Sequence, residues 1–258
     1  MKNSIHCNQD EWEFKMNYLL IIGAKSDIAK AVAKKYAENG HDLYLAARQT
    51  SELESFATDL NIRTEREIKC IELDVLNYAS HEAFYNTLEE KPLGVISAVG
   101  YLGDQEKAQS DFIKAQKIID TNFTGVVCLL NIIADDFEKR KNGFIVGISS
   151  VAGDRGRKSN YLYGSAKSAF TAYLSGLRNR LFFSNVHVLT VKPGFVYTKM
   201  TEGMDLPGKL SAQPKEVAED IFKAQQKRKN VLYTKWFWKW VMLIIKLIPE
   251  WKFKELSI

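Results

Sequence analysis

The segment Tyr163-Gly-Ser-Ala-Lys167 holds a phenol and an ammonium four residues apart. Side chains at positions i and i+4 of a helix share a face, so Tyr163 and Lys167 are predicted neighbours. A cation beside a phenol lowers the pKa of the phenol from its usual ~10 toward the range useful for proton transfer. A chance pair on a protein surface has the same spacing, but here Ser149-Ser150 ends the preceding predicted strand, and Ser150 stands thirteen residues before Tyr163.

A turn suited to phosphate lies near the start of the chain, in Gly23-Ala-Lys-Ser-Asp-Ile-Ala29. The turn joins a predicted strand to a predicted helix, whose N-terminus presents free backbone N–H groups and the positive end of the helix dipole. This arrangement is typical of a pyrophosphate site. Asp27 has an alternative role as the N-cap of the helix.

Short apolar runs alternate with helical segments from Tyr18 onward, which indicates βαβ units. Six strands are predicted, at Tyr18–Ile22, Asp42–Ala46, Ile68–Leu73, Gly94–Ser97, Phe144–Ile148 and Val186–Val191. Their continuous apolar character fits parallel strands that are buried on both faces. The sequence therefore predicts an α/β fold with a single doubly wound parallel sheet and helices on both faces, with ligands beyond the carboxyl ends of the strands.

The composition fits one globular domain with a full core, since 46% of the 258 residues are hydrophobic and 26% are charged. Residues 1–17 are predicted to be a flexible leader, 18–230 the domain and 231–258 a C-terminal extension. No stretch reaches the ~18–20 apolar residues of a membrane span. Cys7, Cys70 and Cys128 are too widely spaced for a disulfide framework or a metal cluster, which fits a cytoplasmic location and no metal site.

The net charge of +5 is unevenly distributed along the chain. From Lys223 to Ile258, nine Lys and Arg residues stand against two glutamates, which gives this segment +7 and the preceding residues −2. The charge distribution therefore argues against a nucleic-acid-binding face across the domain, and no nucleic-acid partner is predicted.

Several markers together resemble the classical short-chain dehydrogenase/reductase family over residues 17–230. In chain order they are Gly23 of the phosphate turn, Asp74 in Leu-Asp-Val, Asn122 in Asn-Phe-Thr-Gly, Ser150, the Tyr163–Lys167 pair, and Pro-Gly-Phe-Val-Tyr-Thr with Pro193, Gly194 and Thr198. The resemblance implies a Rossmann-type fold, a nicotinamide dinucleotide cofactor, interconversion of a ketone and a secondary alcohol, and a homodimer or homotetramer.

The resemblance also implies a role for each site residue. Tyr163 would protonate the carbonyl oxygen while nicotinamide delivers hydride to the carbon, and Ser150 would hydrogen-bond that oxygen. Lys167 would hold the cofactor ribose and depress the pKa of Tyr163, and Asn122 would anchor a proton relay through water. The implied cofactor contacts are Gly23, Lys25, Ser26, Asp27, Ile28, Arg48, Asp74, Val75, Ala98, Gly100, Tyr163, Lys167, Pro193, Gly194, Val196 and Thr198.

Two motifs depart from the family pattern. The phosphate turn carries Asp27 and Ala29 where the family usually has glycines, and Ser97-Ala98-Val99-Gly100 keeps only the glycine of the family's Asn-Asn-Ala-Gly. Neither change removes a catalytic group.

The residues after the second predicted strand favour NADP(H) over NAD(H). A site that prefers NAD places a carboxylate on the ribose hydroxyls, whereas Ala46-Ala47-Arg48 has no acid there. A guanidinium suits a 2′-phosphate, and Lys25 adds a second positive charge. The alternative is that Arg48 is a solvated loop residue.

The last part of the chain predicts an apolar helix over Trp236–Ile248, and four of the five tryptophans lie from residue 236 onward. At about 100° per residue, Lys235, Lys239 and Lys246 fall within about 40° of one another, beside a wide apolar face. Such a helix is typical of a membrane interface. The alternative is a helix buried in a dimer interface.

Within the family, the phosphate turn and the apolar extension are similar to a branch of bacterial reductases that act on polyprenyl-phosphate-linked sugars, of the decaprenylphosphoryl-2-keto-erythro-pentose reductase type. This likeness implies a lipid-linked keto-sugar substrate, a role in cell-envelope polysaccharide biosynthesis, and a peripheral position on the inner face of the cytoplasmic membrane. The family's substrate loop corresponds to Lys199–Gln213, where Met200, Met204 and Leu206 predict an apolar lining.

Two alternatives remain open at this stage. The first is a ketoreductase of a 3-oxoacyl, other lipid or small hydroxy-acid substrate. The second is a non-catalytic protein that senses a dinucleotide, although such a protein has no need of Tyr163, Lys167 and Ser150 together.

Overall fold

The computed structural model describes residues 17–256. Within them lies one parallel sheet of seven strands, β1 (Tyr18–Ile22), β2 (Asp42–Ala47), β3 (Ile68–Glu72), β4 (Gly94–Ser97), β5 (Phe144–Ile148), β6 (His187–Pro193) and β7 (Val231–Thr234). The strand order is β3-β2-β1-β4-β5-β6-β7. The doubly wound parallel sheet predicted from the sequence is therefore confirmed, and the order reverses between β1 and β4, where such sheets bind ligands.

Ten α-helices surround the sheet in the described part of the chain. They are α1 (Asp27–Ala37), α2 (Glu54–Thr64), α3 (His81–Asn86), α4 (Gln105–Ala108), α5 (Phe112–Ile119), α6 (Gly125–Arg140), α7 (Tyr161–Leu181), α8 (Pro214–Gln226), α9 (Trp238–Leu247) and α10 (Glu250–Phe253). One face of the sheet packs against α1 and α8, and the other against α6 and α7.

The apolar strands are buried as parallel strands require. Every residue of β1 and β5 is buried, and alternate residues of β1 enter different cores, with Leu19 on the α1 face and Leu20 on the α6 face. The register places Leu20 opposite Tyr44 of β2 and Val95 of β4. Two apolar cores separated by one sheet therefore hold the strand ends, and the loops that follow them, at fixed positions.

The edge strand β7 has no counterpart among the predicted strands. It pairs with β6 from Thr190 opposite Val231 to Pro193 opposite Thr234. Its four residues are mostly exposed or half-buried, so they do not form the continuous apolar run by which the inner strands are recognised. The predicted boundary after residue 230 therefore falls just before the last strand of the same sheet.

A long helical run crosses one face of the sheet, since α5 and α6 are joined by a π-helical turn, Asp120–Thr124. The whole run, Phe112–Arg140, is long and apolar enough to span a membrane by length and composition. Its apolar side is used differently here, because Leu129, Leu130 and Ile133 are fully buried against the sheet. The run is therefore a core helix of the domain.

The C-terminal extension packs at the carboxyl end of β6. Trp238 and Met242 of α9 are buried against Val151, which follows β5. Arg155 caps the end of α9, because its Nη1 donates to the carbonyl oxygens of Ile245 (2.5 Å) and Ile248 (2.6 Å). The extension is thus part of the folded domain and lies beside the strand ends.

A buried ion pair joins the same segments. Lys192 of β6 donates to Asp154, and the hydroxyl of Tyr233 on β7 donates to the other carboxylate oxygen at 2.8 Å. Both charged side chains are at least nine-tenths buried. The pair fixes the loop after β5 against the last two strands of the sheet.

Two sequence predictions concern residues outside the described range. The predicted leader lies there except for Asn17, and so does Cys7. Cys70 and Cys128 are both free thiols in the described chain.

Candidate active site

Two adjoining cavities form a groove along the carboxyl ends of the strands. The first, of about 250 Å³, is lined by Ser150, Tyr163 and Lys167, and the second, of about 370 Å³, by Arg48 and Asp74. Four predicted residues line both, namely Lys25, Ser26, Ala98 and Gly100. The first cavity also includes Asp27, Ile28, Pro193, Gly194, Val196 and Thr198, and the second includes Gly23 and Val75.

Lys167 is held at the bottom of the first cavity. Its Nζ donates to the carbonyl oxygens of Val99, just beyond β4 (3.1 Å), and Ile148, at the end of β5 (3.2 Å). The ammonium lies 5.7 Å from the ring centroid of Tyr163, on the same face of α7 as predicted. Burial lowers the pKa of Lys167 to about 7, because a desolvated ammonium is less stable than in water.

Tyr163 has a raised pKa, contrary to the sequence-based expectation. Burial raises the pKa of Tyr163 to about 12, and its hydrogen bond with Ser150 offsets only part of this rise. Desolvation is the larger effect because burial disfavours the charged phenolate form of the side chain. The phenol is therefore fully protonated at neutral pH and carries a proton that it can donate.

The two adjacent serines have different environments. Ser149 is buried, and its hydroxyl bonds the carbonyl oxygen of Lys167 (2.9 Å) and the hydroxyl of Thr171 (2.7 Å), so it attaches α7 to β5. Ser150 caps the 3₁₀ turn that follows, accepting from the N–H of Ala152 at 3.1 Å, and bonds Tyr163. Of the two serines, Ser150 is thus the one whose hydroxyl contacts Tyr163.

Asn122 lies behind the cavity wall, on the π-helical turn. Its Nδ2 donates to the carbonyl oxygens of Tyr101 (2.7 Å) and Ile118 (2.8 Å), and its Oδ1 accepts from the N–H of Tyr101 at 3.1 Å. The side chain is fully buried. It therefore braces the loop after β4 against the helical run, an arrangement that no periodicity in the sequence indicates.

The phosphate turn depends on Gly23, which has φ of +79°. A Cβ at this position would lie 3.0 Å from the backbone of Ala98 and Val99, so a larger residue would be both strained and crowded. The backbone of β1 can therefore approach the end of β4 closely at the point where the two cavities meet.

The helix cap after this turn is Ser26 rather than Asp27. The Oγ of Ser26 accepts from the N–H of Ala29 at 3.1 Å, whereas Asp27 is the first residue of α1. The carboxylate of Asp27 instead accepts from the backbone N–H of Lys199 at 2.7 Å. The capping role considered for Asp27 is therefore wrong, and its negative charge ties the loop after β6 to the phosphate turn.

The charges at the second cavity are not equivalent. Arg48 is exposed at its edge and takes part in none of the ion pairs found among residues 17–256. Lys25 is paired with Glu52 at 2.7 Å. Glu72, which the sequence did not single out, accepts from the N–H groups of Gln49 and Thr50 and so shapes the turn that carries Arg48.

The lining of the first cavity beyond these residues was predicted only in part. Met200 and Met204 of the predicted loop line it, but Leu206 is not among its lining residues in the described chain. Arg157 and Asn160 line it unexpectedly. The basic run around Arg157, immediately before α7, was the available signal for them.

Comparison with known proteins agrees with this geometry. The family model described as short chain dehydrogenase matches residues 17–206. An uncharacterized oxidoreductase of Mycobacterium tuberculosis is 33% identical over 241 residues, covering 92% of this chain and 96% of that protein.

Solved structures show the same fold. A short-chain dehydrogenase from Sphingobium yanoikuyae in complex with NADPH has a TM-score of 0.79 at 22% identity, covering 91% of this chain and 97% of that one. A 3-oxoacyl-[acyl-carrier protein] reductase from Brucella melitensis has a TM-score of 0.76 at 21% identity, with 85% and 90% covered.

Proposed function

The chain belongs to the short-chain dehydrogenase family, and we propose that it is an NADPH-dependent ketoreductase that acts on a lipid-linked keto-sugar at a membrane surface. The observation that carries the reaction type is the convergence of Ser150, Tyr163 and Lys167 in one cavity. This cavity shares lining residues with a second one, which we assign to the rest of the dinucleotide.

The residues of the groove fit a nicotinamide dinucleotide. The N-terminus of α1 behind Gly23 suits the pyrophosphate, Arg48 the 2′-phosphate, Asp74 the adenosine end and Lys167 the ribose near the nicotinamide. The lining of the two cavities supports this assignment, because they share residues and together include both Arg48 and Tyr163. When bound, the nicotinamide supplies a hydride to the carbonyl carbon.

The protein itself contributes a proton and holds the carbonyl group of the substrate in position. Ser150 donates a hydrogen bond to the carbonyl oxygen, and Tyr163 transfers its phenolic proton to that oxygen as the carbon gains a hydride. The ketone thereby becomes a secondary alcohol, and the phenolate takes up a proton from water. Asn122 supports the reprotonation of Tyr163 by holding the helical turn where a water relay would start.

Arg48→Ala is expected to raise the Kd for NADPH by about 10–100-fold, because a guanidinium–phosphate hydrogen bond contributes about 1.5–3 kcal/mol. The Kd for NADH should change less than about twofold, since NADH has no 2′-phosphate. Lys25→Ala should have a smaller effect on NADPH, because Glu52 already pairs with Lys25. Fluorescence titration of the wild type and both variants measures these dissociation constants, and an equal loss of affinity for both cofactors in Arg48→Ala would contradict the assignment.

The affinity for NADPH is expected to fall as pH rises from 7 to 9, by at most about tenfold per unit. Burial lowers the pKa of Lys167 to about 7, and the negative charges of the cofactor raise it again in the complex. Binding therefore takes up a proton above pH 7, whereas the 2′-phosphate, with a pKa of ~6, is already ionised there. Lys167→Met should remove the pH dependence of the NADPH affinity. If the pH dependence persists in this variant, it belongs to another titrating group.

The extension supports a membrane-bound substrate. Trp240, Ile244 and Leu247 of α9 are 54%, 66% and 72% exposed, and their spacing places them on one face, here called the apolar stripe. The lysines Lys239 and Lys246 are exposed on the same helix. A helix with an exposed apolar face and lysines beside it suits the surface of an anionic bilayer.

The apolar stripe lies on a helix that contacts the substrate loop. The indole N–H of Trp238 donates to the carbonyl oxygen of Leu210 at 3.2 Å. Met200 and Met204 line the first cavity and are 40% and 48% exposed, so the cavity has an apolar margin. A substrate whose lipid chain stays in the bilayer fits this arrangement better than a small soluble ketone does.

The experiment that tests the function is oxidation of NADPH by the purified protein with a polyprenyl-phosphoryl 2-keto-pentose in vesicles, with NADH in parallel. Turnover that depends on Tyr163 supports both the reaction and the substrate. If NADPH binds without turnover, the keto-sugar is wrong, and 3-oxoacyl and small hydroxy-acid substrates are the next candidates. Failure to bind either dinucleotide would contradict the proposal as a whole.

A further inference from the structure

Arg157 is a half-buried cation that has no ion-pair partner in the described part of the chain. It lines the first cavity together with Ser150 and Tyr163, and its Nε is buried with no hydrogen-bond partner. Its Nη2 has only two long contacts, to the carbonyl oxygen of Val151 (3.4 Å) and to the sulfur of Met242 (3.9 Å). None of the ion pairs within residues 17–256 includes Arg157.

The acid that acts on Arg157 electrostatically is already engaged. Asp154 raises the pKa of Arg157, whereas burial, the larger effect, lowers it. The two carboxylate oxygens of Asp154 accept from Lys192 and from Tyr233. A buried guanidinium nitrogen without a hydrogen bond is unfavourable, so a bound ligand is expected to provide the missing partner.

A second polar group near Arg157 also lacks a partner. Asn160, at the start of α7, lines the same cavity, and its Oδ1 is buried without a hydrogen bond. This oxygen can accept a hydrogen bond from a hydroxyl group, whereas the guanidinium can donate hydrogen bonds to an anion. The two groups together describe a ligand that carries both a hydroxyl and an anionic oxygen.

From these contacts we infer that Arg157 is the binding residue for an anionic oxygen of the carbonyl substrate, in a phosphate ester or a carboxylate. This rests on the proposed ketoreductase function and deepens it, because it assigns an anionic group to the substrate. A guanidinium binds such groups through two parallel hydrogen bonds, which also fix the orientation of the ligand.

The anion belongs to the substrate rather than to the cofactor. The proposed cofactor assignment already gives the phosphates of a dinucleotide their own sites, at the N-terminus of α1, which lines the first cavity, and at Arg48, which lines the second. Arg157 instead contacts Met242 of the extension and lies on the loop that leads to Tyr163. An anionic group held there sits between the catalytic tyrosine and the C-terminal extension.

The inference is tested by binding, independently of turnover. Farnesyl phosphate, farnesol and 3-oxobutanoate are titrated by calorimetry into the full-length protein saturated with NADP⁺. The variants are Arg157→Met, which keeps the apolar stem, and Arg157→Lys, which keeps the charge. Lys158→Met is the matched control, because Lys158 is the exposed neighbour of Arg157.

For Arg157→Met we expect at least a tenfold weaker affinity for farnesyl phosphate, with farnesol and NADPH changed less than twofold. Arg157→Lys should lie in between, and Lys158→Met should match the wild type. If 3-oxobutanoate binds in an Arg157-dependent manner and farnesyl phosphate does not, the residue's role is supported while the lipid-linked substrate is wrong. If neither anion binds the wild type, or both bind Arg157→Met and Arg157→Lys as tightly as the wild type, the inference is overturned.

Discussion

Tyr163→Phe is expected to lower kcat by about 10²–10⁴-fold, the usual contribution of a positioned general acid, while the Kd for NADPH stays within about twofold. The phenyl ring keeps its place on α7, and only the hydroxyl that bonds Ser150 is lost. Single-turnover oxidation of NADPH measures the chemical step, and tryptophan fluorescence measures cofactor binding.

Tyr161→Phe is the matched control for this experiment. Tyr161 lies one half-turn away on the same helix, is 39% exposed, and has Ser165 rather than a lysine four residues later. It should retain full activity. If Tyr163→Phe retained more than about a tenth of the wild-type rate, the proton would have to come from another group, and the assigned reaction mechanism would be wrong.

Replacing four exposed residues of the extension, Trp236, Trp240, Ile244 and Leu247, by glutamine is expected to weaken binding to anionic vesicles at least about a hundredfold. Full burial of a large apolar side chain contributes about 1.5–3 kcal/mol, so partial burial of four is sufficient. Turnover of a lipid-linked substrate in vesicles should fall in parallel. Turnover of a detergent-dispersed short-chain analogue should not change, because Trp238 and Met242 remain buried.

The control for the extension is Phe182→Gln with Phe183→Gln, since these residues are 70% and 93% exposed at the end of α7. This variant should bind vesicles as the wild type does. Sedimentation of both variants tests the alternative that the apolar stripe is a subunit contact. A change from dimer to monomer without any change in vesicle binding would assign the stripe to the second subunit.

The fold was predictable where the chain is buried on both sides. The runs Tyr18–Ile22, Gly94–Ser97 and Phe144–Ile148 were located to the residue, because continuous apolar segments mark inner parallel strands. The edge strand β7 was not, since a strand with one exposed side and only four residues has no such pattern.

The candidate site was predictable in many of its residues but not in its electrostatics. Residue spacing places Tyr163 and Lys167 together, but the sign of the pKa shift of Tyr163 depends on desolvation, which only the folded chain defines. The roles of Asp27 and Arg157 likewise depend on contacts with residues far along the chain, Lys199 and Met242. No local pattern contains that information.

The packing of Trp238 on Gly194 has a consequence for how this protein can be re-engineered. A Cβ at residue 194 would lie only 1.9 Å from the indole, so the glycine of the motif after β6 leaves the space that the extension fills. Arg155 and the Asp154–Lys192 pair hold the same segments together. The extension is therefore not an independent module. Transferring it to another reductase would also require transferring the residues against which it packs. Deleting it should destabilise the carboxyl end of the sheet, because the two parts are expected to unfold in one cooperative transition.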